Sequence, residues 1–233
     1  MEALLRDGLS QLGLPLDAIP AFLKYGELLL ETNRVLNLTA ITEPDEVARL
    51  HFLDCAALLT LERFQGKSVV DVGTGAGFPG LPLKIVEPSI SLTLLDAQQK
   101  RVRFLESVCS ALNLSGVKCF HGRAEELARQ EDLREQFDFA VSRAVADLRV
   151  LCELCLPFVK IGGLFLAMKS VSCQQELLEA RSAVRQLGGV LEDTRDYQIP
   201  GSDVVHRVLL IRKLAPMPDA FPRPFARIKK RPL

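Results

Sequence analysis

The residues of this 233-residue chain whose types and spacing can do chemistry lie together in Val69-Val-Asp-Val-Gly-Thr-Gly-Ala-Gly-Phe-Pro-Gly80. An apolar run ends in an acid, Asp71, and glycine then recurs at Gly73, Gly75 and Gly77. Glycine has no Cβ and tolerates positive φ, so a strand feeding this run turns tightly and brings its backbone close to a ligand. Pro79 suits the first turn of a following helix, where a missing N–H costs nothing. Strand, glycine turn and helix together describe a site for a nucleotide-type cofactor.

Two cofactors compete for that description. Gly75-x-Gly77-x-x-Gly80 also satisfies the dinucleotide pattern, but that fingerprint needs its first glycine directly after the strand, where Gly73 stands. A pyrophosphate would be repelled by a carboxylate two residues before the turn. S-adenosylmethionine has an ammonium, a sulfonium and no phosphate, so Asp71 at the strand tip favours it over NAD and is expected to hold its amino-acid end. A purely structural glycine turn is the third reading. A second acid supports a nucleoside. Ser91–Leu95 reads as a strand with Asp96 at its end, about 20 residues past the turn, a placement that reaches ribose hydroxyls. An aspartate capping the next helix would look the same in sequence.

These residues need a scaffold to position them. Residues 1–65 carry helical spacing in Glu2–Leu12, in Pro20–Glu31 and from Pro44 to about Arg63, with an irregular stretch at 33–42. From Ser68 onward strands at 68–72, 91–95, 117–121, 137–142, 163–169, 190–199 and 206–213 alternate with helices at 79–87, 99–112, 124–130, 146–159 and 174–187. Such alternation predicts an α/β fold, a doubly wound, mostly parallel seven-stranded sheet covered by helices on both faces. The last two strands are joined only by Pro200-Gly-Ser-Asp, so the last strand should run antiparallel. This is the Rossmann-like arrangement expected of S-adenosylmethionine methyltransferases. The expected organisation is a helical extension at 1–65, a cofactor-binding domain at 66–215 and a basic arm at 216–233.

In such sheets the ligand lies beyond the carboxyl ends of the strands, next to the first. The third strand ends near His121-Gly-Arg-Ala-Glu-Glu, so Ala124 and Glu125 are candidates to read an adenine edge. A helix-starting acid pair is the equal alternative. The fourth strand ends in Val141-Ser-Arg-Ala, which sets Arg143 beside the methyl donor as a ligand for cofactor or substrate. Phe78 on the glycine turn packs either on the cofactor or into the core. Absent motifs narrow the reaction. An exocyclic-amine acceptor calls for an Asn/Asp-Pro-Pro-aromatic clamp where this chain has Ser142-Arg-Ala, and cytosine C5 calls for a Pro-Cys nucleophile that none of the six cysteines provides. Guanine N7 owns a free lone pair and needs no base, only orientation.

Composition sets the remaining bounds. No apolar run approaches the roughly 20 residues of a membrane span, and no signal-peptide core opens the chain. A cytosolic protein acting as a monomer, without a membrane partner, is expected. Cys152-Glu-Leu-Cys155 has metal-ligand spacing, but it lies in a helical pattern and reads as buried small hydrophobes. Net charge is +0, which argues against a broad basic surface. The cations are instead clustered. Arg223, Arg227, Lys229, Lys230 and Arg231 stand in the last twelve residues without an acid, an RNA-gripping arm or else a solvated tail. Three prolines there suggest extended backbone. Lys100, Arg101 and Arg103 form a second cluster after Asp96.

Taken with Asn37-Leu-Thr-Ala-Ile, His51-Phe-Leu-Asp54, Leu95-Asp-Ala-Gln-Gln-Lys-Arg-Val-Arg-Phe-Leu105, Ser142-Arg-Ala144 and the Lys-Lys-Arg-Pro-Leu end, the glycine turn resembles that of the bacterial small-subunit rRNA guanine-N7 methyltransferases, the glucose-inhibited division protein B family. The resemblance runs over nearly the whole chain. It implies methyl transfer from S-adenosylmethionine to N7 of guanine 527 in the 530 loop of 16S rRNA, within the small ribosomal subunit. It also implies cofactor contacts at Gly73, Phe78, Ala124, Glu125 and Arg143. Two other functions stay open: a methyltransferase of a small molecule or protein, and a nicotinamide-dependent oxidoreductase.

Overall fold

The computed structural model describes residues 1–143 and 146–233, so Ala144 of the Ser142-Arg-Ala motif lies outside the described residues. The chain opens with helices α1 (Glu2–Gln11) and α2 (Ile19–Leu36). A continuous helical stretch then runs through α3 (Pro44–Val47), a π-turn at Ala48–Leu53, α4 (Asp54–Ala56) and a 3-10 turn at Ala57–Thr60. Alternation begins with β1 (Ser68–Val72), α5 (Gly80–Val86), β2 (Ser91–Asp96), α6 (Gln99–Ala111), β3 (Val117–His121) and α7 (Ala124–Leu127). It continues with β4 (Phe137–Arg143), α8 (Leu148–Cys155), β5 (Val159–Ser170) and α9 (Gln174–Gln186). The chain closes with β6 (Gly189–Gln198), β7 (Val205–Lys213) and α10 (Phe225–Lys230).

The seven strands form one sheet in the order β3-β2-β1-β4-β5-β7-β6. β7 runs antiparallel to both β5 and β6, and the other pairings are parallel, as the short Pro200–Asp203 link requires. Alternate residues of each strand face opposite layers. Val69 and Val141 pack with Leu5, Phe22, Tyr25 and Phe52 of the amino-terminal helices. Val70, Val72 and Ala140 pack with Leu151 of α8, Val184 of α9 and Ile228 of α10. The amino-terminal helices therefore cover one face of the sheet and share its core.

Three local differences from the sequence reading have physical causes. α2 continues to Leu36 and ends on Asn37 in the left-handed region (φ 49). Asn33 makes that possible, because its Oδ1 accepts from Leu38 N (2.6 Å) and Thr39 N (2.9 Å) while its Nδ2 donates to the Thr39 carbonyl (2.9 Å). Helix α8 starts two residues later than the periodicity predicts, at the residue after Asp147, whose carboxylate accepts from Arg149 N. The basic arm is not extended: Pro224 precedes a short helix whose Ile228 is fully buried against the sheet's second face.

The topology places several chain-distant residues at one edge. β7 is antiparallel, so its first residues lie beside the carboxyl ends of the parallel strands. Arg143 of β4 pairs with Met168 of β5, and Tyr197 of β6 pairs with His206 of β7.

Candidate active site

A cavity of about 460 Å³ opens at the carboxyl edge of β1, β2 and β4. It is walled by the glycine turn from Gly73 to Ala76, by Asp96, by Gly122–Glu125, and by Leu38, Thr39, His51, Phe78 and Arg143. The turn keeps its shape through contacts on its far side. Tyr25, fully buried in α2, donates its hydroxyl to the Ala76 carbonyl. A Cβ on Gly77 would lie 2.6 Å from that hydroxyl, so only glycine lets helix and turn approach this closely. Gly75 faces the other way. Its φ is +63 and a Cβ there would meet nothing within 4 Å, leaving a bare backbone cradle along the cavity.

Asp96 anchors the cradle from β2. Its Oδ2 accepts from Gly75 N (3.0 Å) and its Oδ1 from Gln98 N (2.8 Å), the residue before α6. Asp96 is not the N-cap of α6, which is Gln98 without a side-chain cap bond; it bonds the Gln98 amide ahead of the helix and lines the cavity. Ala124 and Glu125 also line the cavity. Glu125 is buried and accepts from Arg123 Nε (3.0 Å), and the Arg123 guanidinium lies 3.9 Å above the Phe225 ring of α10.

Asp71 has a different place from the one expected. It is fully buried beneath the turn and does not line the cavity, as Gly77 does not. Its Oδ2 accepts from Thr74 Oγ1 (2.7 Å) and Gly80 N (2.7 Å), so it fastens the turn to the start of α5. Its Oδ1 is buried with no partner among the described residues. Burial pushes its pKa up to about 7, against the pull of the Thr74 and Gly80 bonds. A strand-tip acid in sequence is here a strut of the turn.

Arg143 stands at the opposite end from Glu125. Its Nη1 donates to the Leu50 carbonyl (2.8 Å) and to Asp54 Oδ2 (3.0 Å), and its Nη2 meets His51 Nδ1 (2.8 Å). The guanidinium lies 4.9 Å over the Phe78 ring, and His51 stacks on the same ring at 4.4 Å. Phe78 is buried, as the core reading expects, and also lines the cavity. Asp54 Oδ1 further accepts from Tyr197 (2.7 Å) and from His206 Nδ1 (2.8 Å). Burial would raise the Asp54 carboxyl, but the His206 bond and the Arg143 charge hold it below its ordinary value.

The cations that the sequence reading expected to grip RNA divide. Arg227, Lys229, Lys230 and Arg231 are exposed on α10 and the residue after it. Arg223 is instead committed to Glu153, a fully buried carboxylate of α8, through Nε (2.8 Å) and Nη2 (2.6 Å). Arg101 turns into the cavity, 3.4 Å from Asp96, while Lys100 and Arg103 stay exposed on α6. Of the residues that sequence reasoning left without a role, His51 and Asp54 carried a signal: their i,i+3 spacing puts them on one helix face. Tyr197, His206 and Phe225 carried none.

A parallel sheet with an antiparallel penultimate-position strand, and a glycine cradle answered by an acid on the neighbouring strand, define a Rossmann-like methyltransferase. The fold agrees with a solved precorrin-6y C5,15-methyltransferase from Geobacter metallireducens GS-15 (TM-score 0.51, 14% identity, 68% of this chain and 87% of that one). The family profile of the rRNA small subunit methyltransferase G matches residues 18–200, and the chain belongs to that family. It is 45% identical over 238 residues to the ribosomal RNA small subunit methyltransferase G of Alkaliphilus oremlandii (100% of this chain, 99% of the relative). It is 42% identical over 214 residues to that of Clostridium tetani (91% and 90%).

Proposed function

We propose that this chain methylates N7 of guanine 527 in the 530 loop of 16S rRNA, within the small ribosomal subunit in the cytoplasm, using S-adenosylmethionine. The observation that carries the choice of acceptor atom is the state of the cavity's ionisable groups. His51 is tied to Arg143 and Thr39, Glu125 to Arg123, and Asp96 to two backbone amides and Arg101. Each is held by a neighbouring donor or cation rather than standing as a free base, which supports an acceptor atom that already owns its lone pair.

The residues fit the cofactor. The bare Gly75 cradle admits its amino-acid end, Asp96 stands where ribose hydroxyls need an acceptor, and Ala124 with Glu125 closes the adenine end. S-adenosylmethionine, which Gly75, Asp96, Ala124 and Glu125 would hold, would supply an electrophilic methyl on a sulfonium to an acceptor lone pair that needs no deprotonation. The protein supplies orientation and water exclusion, where effective molarity replaces acid–base catalysis. Arg143 is paired with Asp54, so a cationic product is not set against a bare guanidinium. We assign 1–65 to shaping the acceptor end, 66–215 to the cofactor, and 216–233 to RNA through its exposed cations.

Methyl transfer to isolated small subunits, with primer-extension mapping of the product, tests the reading. A single modified guanine N7 in the 530 loop is expected. Methyl recovered only in protein or in small molecules would overturn it.

A further inference from the structure

A second cleft of about 560 Å³ lies against the first cavity, lined by Leu30, Asn33, Arg34, Asn37, Thr39 and Thr42 among others. Thr39 lines both. Gly75, Asp96, Ala124 and Glu125 wall the side of the cavity assigned to the cofactor, and Thr39 stands at the junction of cavity and cleft, where a second reactant would meet it.

Hydrogen accounting gives Thr39 a definite role. Two groups approach His51 Nδ1, Arg143 Nη2 at 2.8 Å and the Leu50 carbonyl at 3.1 Å. A guanidinium only donates and that carbonyl already accepts from Arg143 Nη1 (2.8 Å), so the shorter contact sets a lone pair on Nδ1. The ring proton is then on Nε2 and is donated to Thr39 Oγ1 over 2.8 Å. Ile41 N donates to the same oxygen (3.1 Å). Both lone pairs of the hydroxyl are used, its own hydrogen has no acceptor among the described residues, and Thr39 faces the two hollows as a donor only.

Charge describes the rest of the cleft. Arg34 and Asn37 are exposed, and among the described residues neither side chain has a hydrogen bond or ion pair. Lys100 adds a second cation at the same loop, where its Nζ donates to the Leu36 carbonyl (3.2 Å). An unpaired nucleic-acid strand offers such a surface phosphates and base edges.

We propose that Thr39 donates its hydroxyl hydrogen to the ring carbonyl of the acceptor purine, and that Arg34 and Asn37 hold the RNA strand that presents it. This rests on guanine N7 as the acceptor. In guanine the carbonyl shares an edge with N7, whereas adenine carries an amino group there. Against a donor-only Thr39 that amino group is rejected, so the contact selects guanine and orients N7. Thr39 acts in positioning and specificity and moves no proton.

The test uses small subunits reconstituted with 16S rRNA carrying guanosine or 2-aminopurine, which keeps N7 and lacks the carbonyl, at the methylated position. The wild-type kcat/KM should favour guanosine by about tenfold or more, the order of effect of leaving a buried donor unpaired. Thr39→Val should bring the two substrates to within about twofold, as a broken pair does in a mutant cycle. Thr39→Ser should restore the preference. Calorimetry with S-adenosylhomocysteine reports whether the variants keep the cofactor site. Arg34→Ala should raise KM for subunits and lower the salt slope by about 0.7, one phosphate contact to a single strand. Equal wild-type rates on the two substrates, or an undiminished preference in a folded Thr39→Val, overturns the Thr39 contact; an Arg34→Ala variant with wild-type KM and slope overturns the cleft. Absence of N7 methylation on guanosine by the wild type would instead be a failure of the proposed function.

Discussion

Arg143 Nη2 lies 2.8 Å from His51 Nδ1, in a buried site where the imidazole stays neutral. Burial first, and the Arg143 charge second, push the ring from 6.5 down to about 4. Between those values the unfolded chain takes a proton that the folded chain refuses, so stability falls as pH drops through that window. The loss approaches about 3 kcal/mol at its acid end. His51→Gln can accept from Arg143 and donate to Thr39 without titrating, and its stability should vary less between pH 6.5 and 4.5 than the wild type's. Denaturant titrations at the two pH values check this, and a His51 resonance titrating near 6.5 would refute it. His206 runs the other way: its bond to Asp54 raises it, so its contribution is present below 6.5 and fades as pH rises through the elevated value.

Asp71 makes the next prediction. Its folded pKa of about 7 against an ordinary 3.8 means the folded state binds the extra proton between those values. Stability from this group therefore decreases as pH rises from about 4 to 7 and stays low above. Asp71→Asn keeps an oxygen for Thr74 and Gly80 and replaces the unpartnered Oδ1 with an amide. It should gain stability over the wild type at pH 8 and little at pH 5, while binding S-adenosylhomocysteine nearly as well. Asp71→Ala frees the turn and should weaken that binding about tenfold or more. A tenfold loss in both variants would mean that the charge itself touches the ligand.

Much of this architecture was legible in advance because its signals are local. β1 and β3 fall on the expected residues, since apolar runs bounded by glycine or polar residues leave little choice of register. Gly73, Gly75 and Asp96, singled out because ligand approach needs bare backbone and an acid on the next strand, line one cavity. What stayed hidden is long-range. Glu153 sits in an apolar helix with nothing nearby to mark its partner, and Arg223 reaches it from seventy residues away. Asp54 is completed by Tyr197 and His206, which only the β6–β7 pairing sets side by side. Arg223 looked like one more cation of a basic tail because composition cannot tell a solvated charge from a paired one.

That pairing yields a third prediction. Arg223→Ala leaves the buried Glu153 carboxylate without its partner, a loss of about 3–5 kcal/mol. It also loosens a segment held by Arg129 on the Pro222 carbonyl (2.6 Å) and Arg134 on the Phe221 carbonyl (3.0 Å). Phe225 follows in sequence and lines the cofactor cavity, so affinity for S-adenosylhomocysteine should fall severalfold with stability. The double variant Arg223→Met with Glu153→Leu removes both charges and should recover most of the stability. Full cofactor affinity in a folded Arg223→Ala would separate the arm from the cavity.

The exposed cations of the same segment carry the last prediction. Arg227, Lys229, Lys230 and Arg231 are exposed and have no ion pair among the described residues, whereas Arg223 is spent on Glu153, so the proposed RNA contact of the arm rests on four charges. Each neutralised phosphate of unpaired RNA contributes about −0.7 to the slope of log K against log salt, or about −2.8 for the four. Changing all four to Gln should flatten the slope by that amount and raise the KM for small subunits. Ile228 and Phe225 are untouched in this variant, so α10 stays docked and cofactor affinity should not change. Deleting residues 222–233 is the contrasting experiment: it removes Phe225 from the cavity wall and should weaken cofactor binding as well. Should the four-Gln variant keep the wild-type slope, the arm is a solvated cap on the cofactor cavity, and the phosphate contacts belong to Arg34, Lys100 and Arg103.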